Sequence, residues 1–130
     1  MILQRQTKQK QIVLQALTEL NHPTATAVFN RVHSEHPTVS RATVFRVLKQ
    51  ADQNGSILRL SFAGGEDRFD YNPTPHYHVR CNICGCVSDV KMPYLTDLEQ
   101  AVEDACGYRV YSHDVEFKGV CPDCQAGEKA

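Results

Sequence analysis

Two Cys-x-x-Cys pairs, Cys81/Cys84 and Cys121/Cys124, lie in the second half of this 130-residue chain. Each pair offers two sulfurs to one ion from a tight turn, and two pairs complete the tetrahedron of a four-thiolate zinc site. A zinc enclosed in that way has no open position for catalysis and serves to hold the fold. The N-terminal Met1-Ile2-Leu3-Gln4-Arg5 lacks the charged-then-apolar layout of a signal peptide, so the expected compartment is the cytoplasm and the thiols read as metal ligands rather than disulfides. A redox switch is the competing use of the same sulfurs. Cys86 and Cys106 fall outside the pairs. Cys106 reads as a small buried residue, and Cys86 either approaches the zinc or stays a spectator; neither receives a function.

His76 and His78 stand at i, i+2 just ahead of the first pair, so on a strand both imidazoles project from one face. Asp70 and Asp89 are the carboxylates placed to join them. A nitrogen and oxygen donor set without sulfur suits Fe(II), Mn(II) or zinc. Polar surface is the plain alternative for two such histidines. A chain that builds one closed metal site and then a second, open-looking one is equipped to sense.

These side chains need elements to hold them. In the first half, Ile12, Val13, Ala16, Leu17 and Leu20 lie on one face of a helix that ends at Asn21-His22-Pro23. Thr24 caps a second helix with Val28, Phe29 and Val32 inward, broken at His36-Pro37. Ser40 caps a third, whose apolar stripe is Val44, Val47, Leu48 and Ala51, and Gly55 closes it. Opposite that stripe stand Arg41, Phe45 and Lys49, with Arg46 at the edge. Cations flanking an aromatic can meet phosphates, guanine edges and thymine methyls, and three helices with a basic third one match a helix-turn-helix. With Lys10 on the first helix and Ser40 and Thr43 at the start of the third, these residues are the candidate DNA contacts. A plain three-helix bundle with a solvated charged face is the competing reading.

An apolar run at 57–62, a turn at Gly64-Gly65 and a return at 68–71 predict a two-stranded wing. Asn72-Pro73-Thr74-Pro75 reads as a hinge, which divides the chain into a winged-helix domain over 1–72 and an α/β domain over 73–130. The second domain is expected to hold strands at 76–80 and 86–91 and a helix over 94–105 with Leu95, Leu98, Ala101, Val102 and Ala105 buried. Its last strand alternates at Tyr108 and Val110, breaks near Ser112–Asp114, and resumes at Val115 and Phe117. One helix cannot cover both sides of such a sheet, so a homodimer is expected. The fold class is therefore α+β. No apolar run approaches the roughly 20 residues of a membrane span. Net charge is −1, yet residues 1–60 hold eight Lys/Arg against three Asp/Glu and residues 61–130 hold six against twelve. That split suggests one half for a polyanion and one for metals.

The pattern Arg68-Phe69-Asp70 … His76-Tyr77-His78-Val79-Arg80-Cys81-x-x-Cys84-Gly85 … Asp89 … Gly119-x-Cys121-x-x-Cys124, with Val39-Ser40-Arg41-Ala42-Thr43-Val44-Phe45-Arg46, resembles the ferric uptake regulator family of metal-dependent bacterial repressors. The likeness runs from about residue 5 to 125. It implies a winged-helix domain, an α/β dimerisation domain, and a homodimer that binds operator DNA when its regulatory metal is bound. Within the family the chain is most similar to the peroxide-sensing branch. That similarity implies a regulatory Fe(II) or Mn(II) site of three histidines and two aspartates, matched here by His22, Asp70, His76, His78 and Asp89, beside the structural zinc. It also implies that hydrogen peroxide reacting there oxidises His22 or His76 and releases the DNA. Plain iron-responsive control of metal uptake is the alternative that the same resemblance allows. His22 has no role without the resemblance. A further metal site seen in iron-sensing members has only His113 here, beside Pro75, Tyr77 and Thr96, and His113 is read as structural. Phe45 stands where a tyrosine is usual, which removes a hydroxyl from the reading face.

An enzyme using the nitrogen and oxygen site would need a pocket and a base that the sequence does not display, and it would leave the helix-turn-helix unexplained. The expectation is a regulator and not an enzyme. A zinc protein that binds DNA without metal control is the third reading, and a metal titration of DNA affinity separates all three.

Overall fold

The structure, a computed structural model, describes residues 2–62 and 65–128. The chain divides into two compact units, Met1–Thr74 and Pro75–Ala130. Among the described residues, no helix is long and apolar enough to cross a membrane.

The first unit is three helices and a hairpin: α1 (Ile2–Glu19), α2 (Ala25–Glu35), α3 (Arg41–Gln53), β1 (Leu58–Leu60) and β2 (Arg68–Asp70). Capping sets the helix starts. Thr24 accepts from the Ala27 amide at 3.1 Å and Ser40 from the Thr43 amide at 3.1 Å, each satisfying a donor that the first turn leaves without a partner. The inward stripes then meet in one core of Val13, Ala16, Leu17, Val28, Val32, Val39, Val44, Val47, Leu48, Ala51, Ile57 and Phe69. The strands pair antiparallel, with Leu58 opposite Asp70 and Leu60 opposite Arg68. This hairpin is the expected wing, although β1 stops at Leu60 rather than at Phe62. The Gly64 half of the expected turn lies outside the described residues, while the Gly65 amide donates to the Phe62 carbonyl at 3.1 Å.

The second unit holds β3 (Tyr77–Cys81), β4 (Val87–Val90), α4 (Leu98–Cys106), β5 (Glu116–Gly119) and α5 (Pro122–Glu128). Its sheet runs β4-β3-β5, antiparallel between β3 and β4 and parallel between β3 and β5. Together the two units make an α+β fold.

Several sequence expectations change in this unit. The helix begins at Leu98 rather than Tyr94, and none of its residues is buried; Leu95 and Val102 are 45% and 47% exposed. Of its apolar residues, Leu98 is half-buried and Ala101, Val102 and Ala105 are exposed. Tyr108–Val115 is not strand, and β5 begins only at Glu116, past the expected break. Cys106 is exposed, its thiol donating to the Val102 carbonyl at 3.1 Å, where a buried residue was expected. The short α5 was not expected. Pro122 at its first position and Asp123 in its first turn are the local signals for it.

Candidate metal centres and nucleic-acid face

The thiol centre is assembled by the β3–β5 pairing. Register places Cys81 beside Gly119, and the Asn82 amide donates to the Gly119 carbonyl at 2.8 Å, which carries Cys121 to the first knuckle. The Cys81–Cys86 turn is closed by the Cys81 amide on the Cys86 carbonyl at 2.9 Å and the Gly85 amide on the Cys81 carbonyl at 3.0 Å. Gly85 sits at φ +79°, a conformation that a side chain would strain. Amides of Ile83, Cys84 and Cys121 each point at Cys81 Sγ at 3.4 Å. Those donors, led by the Cys121 amide, hold the Cys81 thiol down at about 5. Cys84 is also lowered, chiefly by a hydrogen bond from the Cys86 amide. Cys86 is pushed up to about 12 by its contact with the Cys84 thiol and then by burial, and Cys124 is raised by its contact with Cys121. Sulfurs this close cannot all ionise without a cation between them.

Cys84 and Cys121 place their sulfurs 3.8 Å apart. A tetrahedron with Zn–S bonds of about 2.3 Å has edges of about 3.8 Å, so the donor set fits zinc in both chemistry and spacing. The four sulfurs lying mutually within 4.8 Å are those of Cys81, Cys84, Cys86 and Cys121. Cys124, on α5 three positions past Cys121, is outside that set. Cys86, left without a role by spacing, is therefore part of the cluster.

In the first unit, His22 and Asp70 meet across the base of the wing. His22 follows α1 at φ +47°, the one non-glycine residue with positive φ among those described. Its carbonyl accepts from Arg68 at 3.0 Å, and the Phe69 amide donates to the Pro23 carbonyl at 2.9 Å, so β2 fixes the residues around it. Its Nδ1 lies 2.7 Å from Asn21 Oδ1 and its Nε2 lies 3.3 Å from Asp70 Oδ2, with both ring and carboxylate buried. The Asn72 amide donates to the other Asp70 oxygen at 2.9 Å, leaving Oδ2 toward the imidazole.

In the second unit, the β3–β4 register sets His78 opposite Asp89. Nε2 of His76 and Nε2 of His78 both lie 3.1 Å from Asp89 Oδ1, and the two rings are 4.4 Å apart. Three donors thus converge, His78 and Asp89 from facing strand positions and His76 from the residue before β3, which begins one residue later than the expected strand at 76–80. This set and the His22/Asp70 pair each hold imidazole nitrogen and carboxylate oxygen, a hard-to-borderline chemistry distinct from the thiol centre.

On α3, Arg41, Phe45, Arg46 and Lys49 are exposed and Thr43 is half-buried. The Arg41 guanidinium stacks on Phe45 at 4.6 Å and lies 5.8 Å from Phe29, while it donates to Thr26 Oγ1 at 3.1 Å. An aromatic and a cation are thereby held ready on the outer face of the third helix. Lys10 is exposed on α1.

His113 is fully engaged by groups the sequence reading missed in part. Tyr77 Oη lies 2.7 Å from its Nε2, Glu99 carboxylate meets its Nδ1, and Tyr94 stacks on its ring at 4.7 Å. Glu99 on α4, rather than Thr96, is the residue brought to it. Fourteen positions separate the pair, a distance for which no local periodicity gives a signal.

A winged helix-turn-helix unit followed by an α/β unit carrying a thiol cluster and a His/Asp cluster is the plan of a two-domain, metal-responsive regulator. The chain belongs to the Ferric uptake regulator family, whose profile it matches over residues 3–118. It is 32% identical over 122 residues to the peroxide-responsive repressor PerR of Staphylococcus aureus, a match that covers 93% of this chain and 82% of that protein. It is also similar to the crystal structure of a Campylobacter jejuni peroxide stress regulator, with a TM-score of 0.77 and 25% identity over 92% of this chain and 91% of that one. The Helicobacter pylori ferric uptake regulator, at 21% identity, shares the fold with a TM-score of 0.75 over 91% of this chain and 80% of that one.

Proposed function

We propose that this protein is a metal-dependent, DNA-binding transcriptional repressor that responds to hydrogen peroxide. A structural zinc in the cysteine cluster would hold β5 and α5 to β3. A regulatory Fe(II) or Mn(II) would be held by His22, Asp70, His76, His78 and Asp89 together, and ferrous iron there would supply the reactivity toward peroxide. His22 and Asp70 belong to the first unit and the other three to the second. A metal needing all five therefore binds one relative orientation of the units better than any other, and favours it by that difference in affinity.

The observation that carries the reading is the pairing of imidazole and carboxylate in both units, with donors of the same kind already gathered within each. The likeness to two peroxide regulators supports peroxide as the signal. His22 and His76 are the residues proposed to gain oxygen. A homodimer is supported by the exposed apolar residues of the second unit, Met92, Leu95, Val102, Tyr108, Tyr111, Val115 and Phe117. In such a dimer two α3 helices would enter successive major grooves, about 34–36 Å apart, on a palindromic site. Arg41, Phe45, Arg46 and Lys49 would meet the DNA, with Lys10, Ser40 and Thr43 beside them.

The test begins with a duplex selected from a random library in the presence of Mn(II). Fluorescence anisotropy should then show tight binding with Fe(II) or Mn(II) and weak binding after chelation. Peroxide treatment of the Fe(II) form should add the mass of one oxygen to the peptide containing His22 or His76 and abolish binding. Metal-dependent binding without that mass gain would make the protein an iron-responsive regulator. Binding indifferent to metal would remove the switch altogether.

A further inference from the structure

The thiol centre has more sulfur than a tetrahedral ion can use. Cys81, Cys84 and Cys86 come from a single tight turn, and Cys121 joins them from the end of β5; these four sulfurs lie mutually within 4.8 Å. Cys124, the other half of the second Cys-x-x-Cys, stands on α5 three positions past Cys121. The two knuckles and Cys86 together therefore offer five thiols to a four-coordinate ion.

The two candidates for the fourth place are held in different ways. Cys86 is the residue just before β4, and its carbonyl accepts from the Cys81 amide at 2.9 Å, so its backbone is anchored to the end of β3. Cys124 sits on a seven-residue helix at 122–128. A helix this short is marginal by itself, and its position depends on what its side chains grip. Of the backbone bonds at its start, the Gln125 amide on the Cys121 carbonyl at 2.9 Å ties it to one cysteine already in the cluster.

We infer that Cys86 is a zinc-ligating residue that shares the fourth position of the centre with Cys124. When α5 is packed, either sulfur completes the tetrahedron. When α5 frays, Cys86 closes the site from within the β3–β4 turn and the ion keeps four thiolates. The exchange is a ligand substitution: one zinc–sulfur bond forms as another breaks, the incoming thiol gives up its proton, and the departing thiolate takes one. No oxidant or reductant is involved. One sulfur of the pair is always uncoordinated, so the centre can lose Cys124 to modification without losing its metal.

This inference rests on the proposed zinc reading, and cobalt substitution separates the two. The full chain is refolded with Co(II) in place of zinc, and the thiolate-to-cobalt charge-transfer absorbance per bound metal is compared among the wild type, Cys124→Ala and Cys86→Ala/Cys124→Ala. The wild type should show a tetrahedral four-thiolate spectrum; its absence would sink the zinc reading itself. Given that spectrum, Cys124→Ala should keep the wild-type absorbance, while the double variant should lose roughly a quarter of it, one thiolate of four, or fail to hold the ion. The inference is overturned if Cys124→Ala already falls to the level of the double variant, if it cannot fold or retain metal, or if both variants keep the full absorbance. Zinc stoichiometry of the same three proteins gives a second readout: one ion per chain retained by Cys124→Ala, and depleted in the double variant.

Discussion

His22 joins a strained backbone to a proposed ligand, and two substitutions separate those roles. At φ +47° a residue with a Cβ pays roughly 1–2 kcal/mol relative to the right-handed region. His22→Ala and His22→Gly delete the same ring, with its contacts to Asn21 and Asp70. Only glycine relieves the strain, and it gives back about 0.4–1 kcal/mol because the unfolded chain gains freedom. The glycine variant should therefore be the more stable by about 0.5–1 kcal/mol, or ~2–8 °C in Tm for a unit of this size. Differential scanning calorimetry of the zinc-loaded proteins reads this difference. Both variants should lose the metal-induced gain in operator affinity, a coupling expected to be about 5–150-fold, while zinc content and dimerisation stay as in the wild type. An alanine variant equal to or more stable than the glycine variant would refute the strain argument. Metal-dependent DNA binding retained by both would refute the role of His22 in joining the units.

Three other outcomes follow from particular contacts. Ser40→Ala removes the acceptor for the Thr43 amide and should cost about 0.5–2 kcal/mol by urea unfolding, with weaker DNA binding because α3 frays at its reading end. Leu48→Ala opens a cavity at a 1% exposed core position and should cost about 2–5 kcal/mol, lowering the urea midpoint of the first unit while the cobalt spectrum of the second is unchanged. Glu99 is held below its ordinary value of 4.5 first by its hydrogen bond with His113. A carboxyl whose folded pKa is depressed stabilises the native state above about 4.5 and loses that contribution as pH falls through the lower folded value. Glu99→Gln should thus be less stable than the wild type at pH 7, with the two curves converging in acid; a gap that persists or widens below pH 4 would contradict the sign.

Much of the first unit was legible because its determinants are local. Stripes at i, i+3, i+4 and i+7 and caps at Thr24 and Ser40 mark helices from within a dozen residues, and they place Val44, Val47 and Leu48 inward and Arg41 and Phe45 outward. Helix α4 was misjudged because periodicity states which residues share a face, not whether anything covers that face. The His76/His78 pairing was legible for a similar reason, since i, i+2 spacing at the start of a strand needs no tertiary information. His22 was not, because a histidine between a helix and a proline looks like any terminator.

The amino-acid order alone determined the candidate ligand chemistries of this protein: paired thiols in the two Cys-x-x-Cys turns and paired imidazoles at the start of a strand, where a few bonds of backbone suffice to bring donors together. Tertiary structure decided the memberships. Cys86 enters the thiol cluster, Asp70 turns its Oδ2 to His22, and Glu99 reaches His113 only after strands and helices far apart in the chain have packed. Those contacts depend on register and on closing long loops, whose cost and geometry are set by the whole fold and not by any window of neighbouring residues.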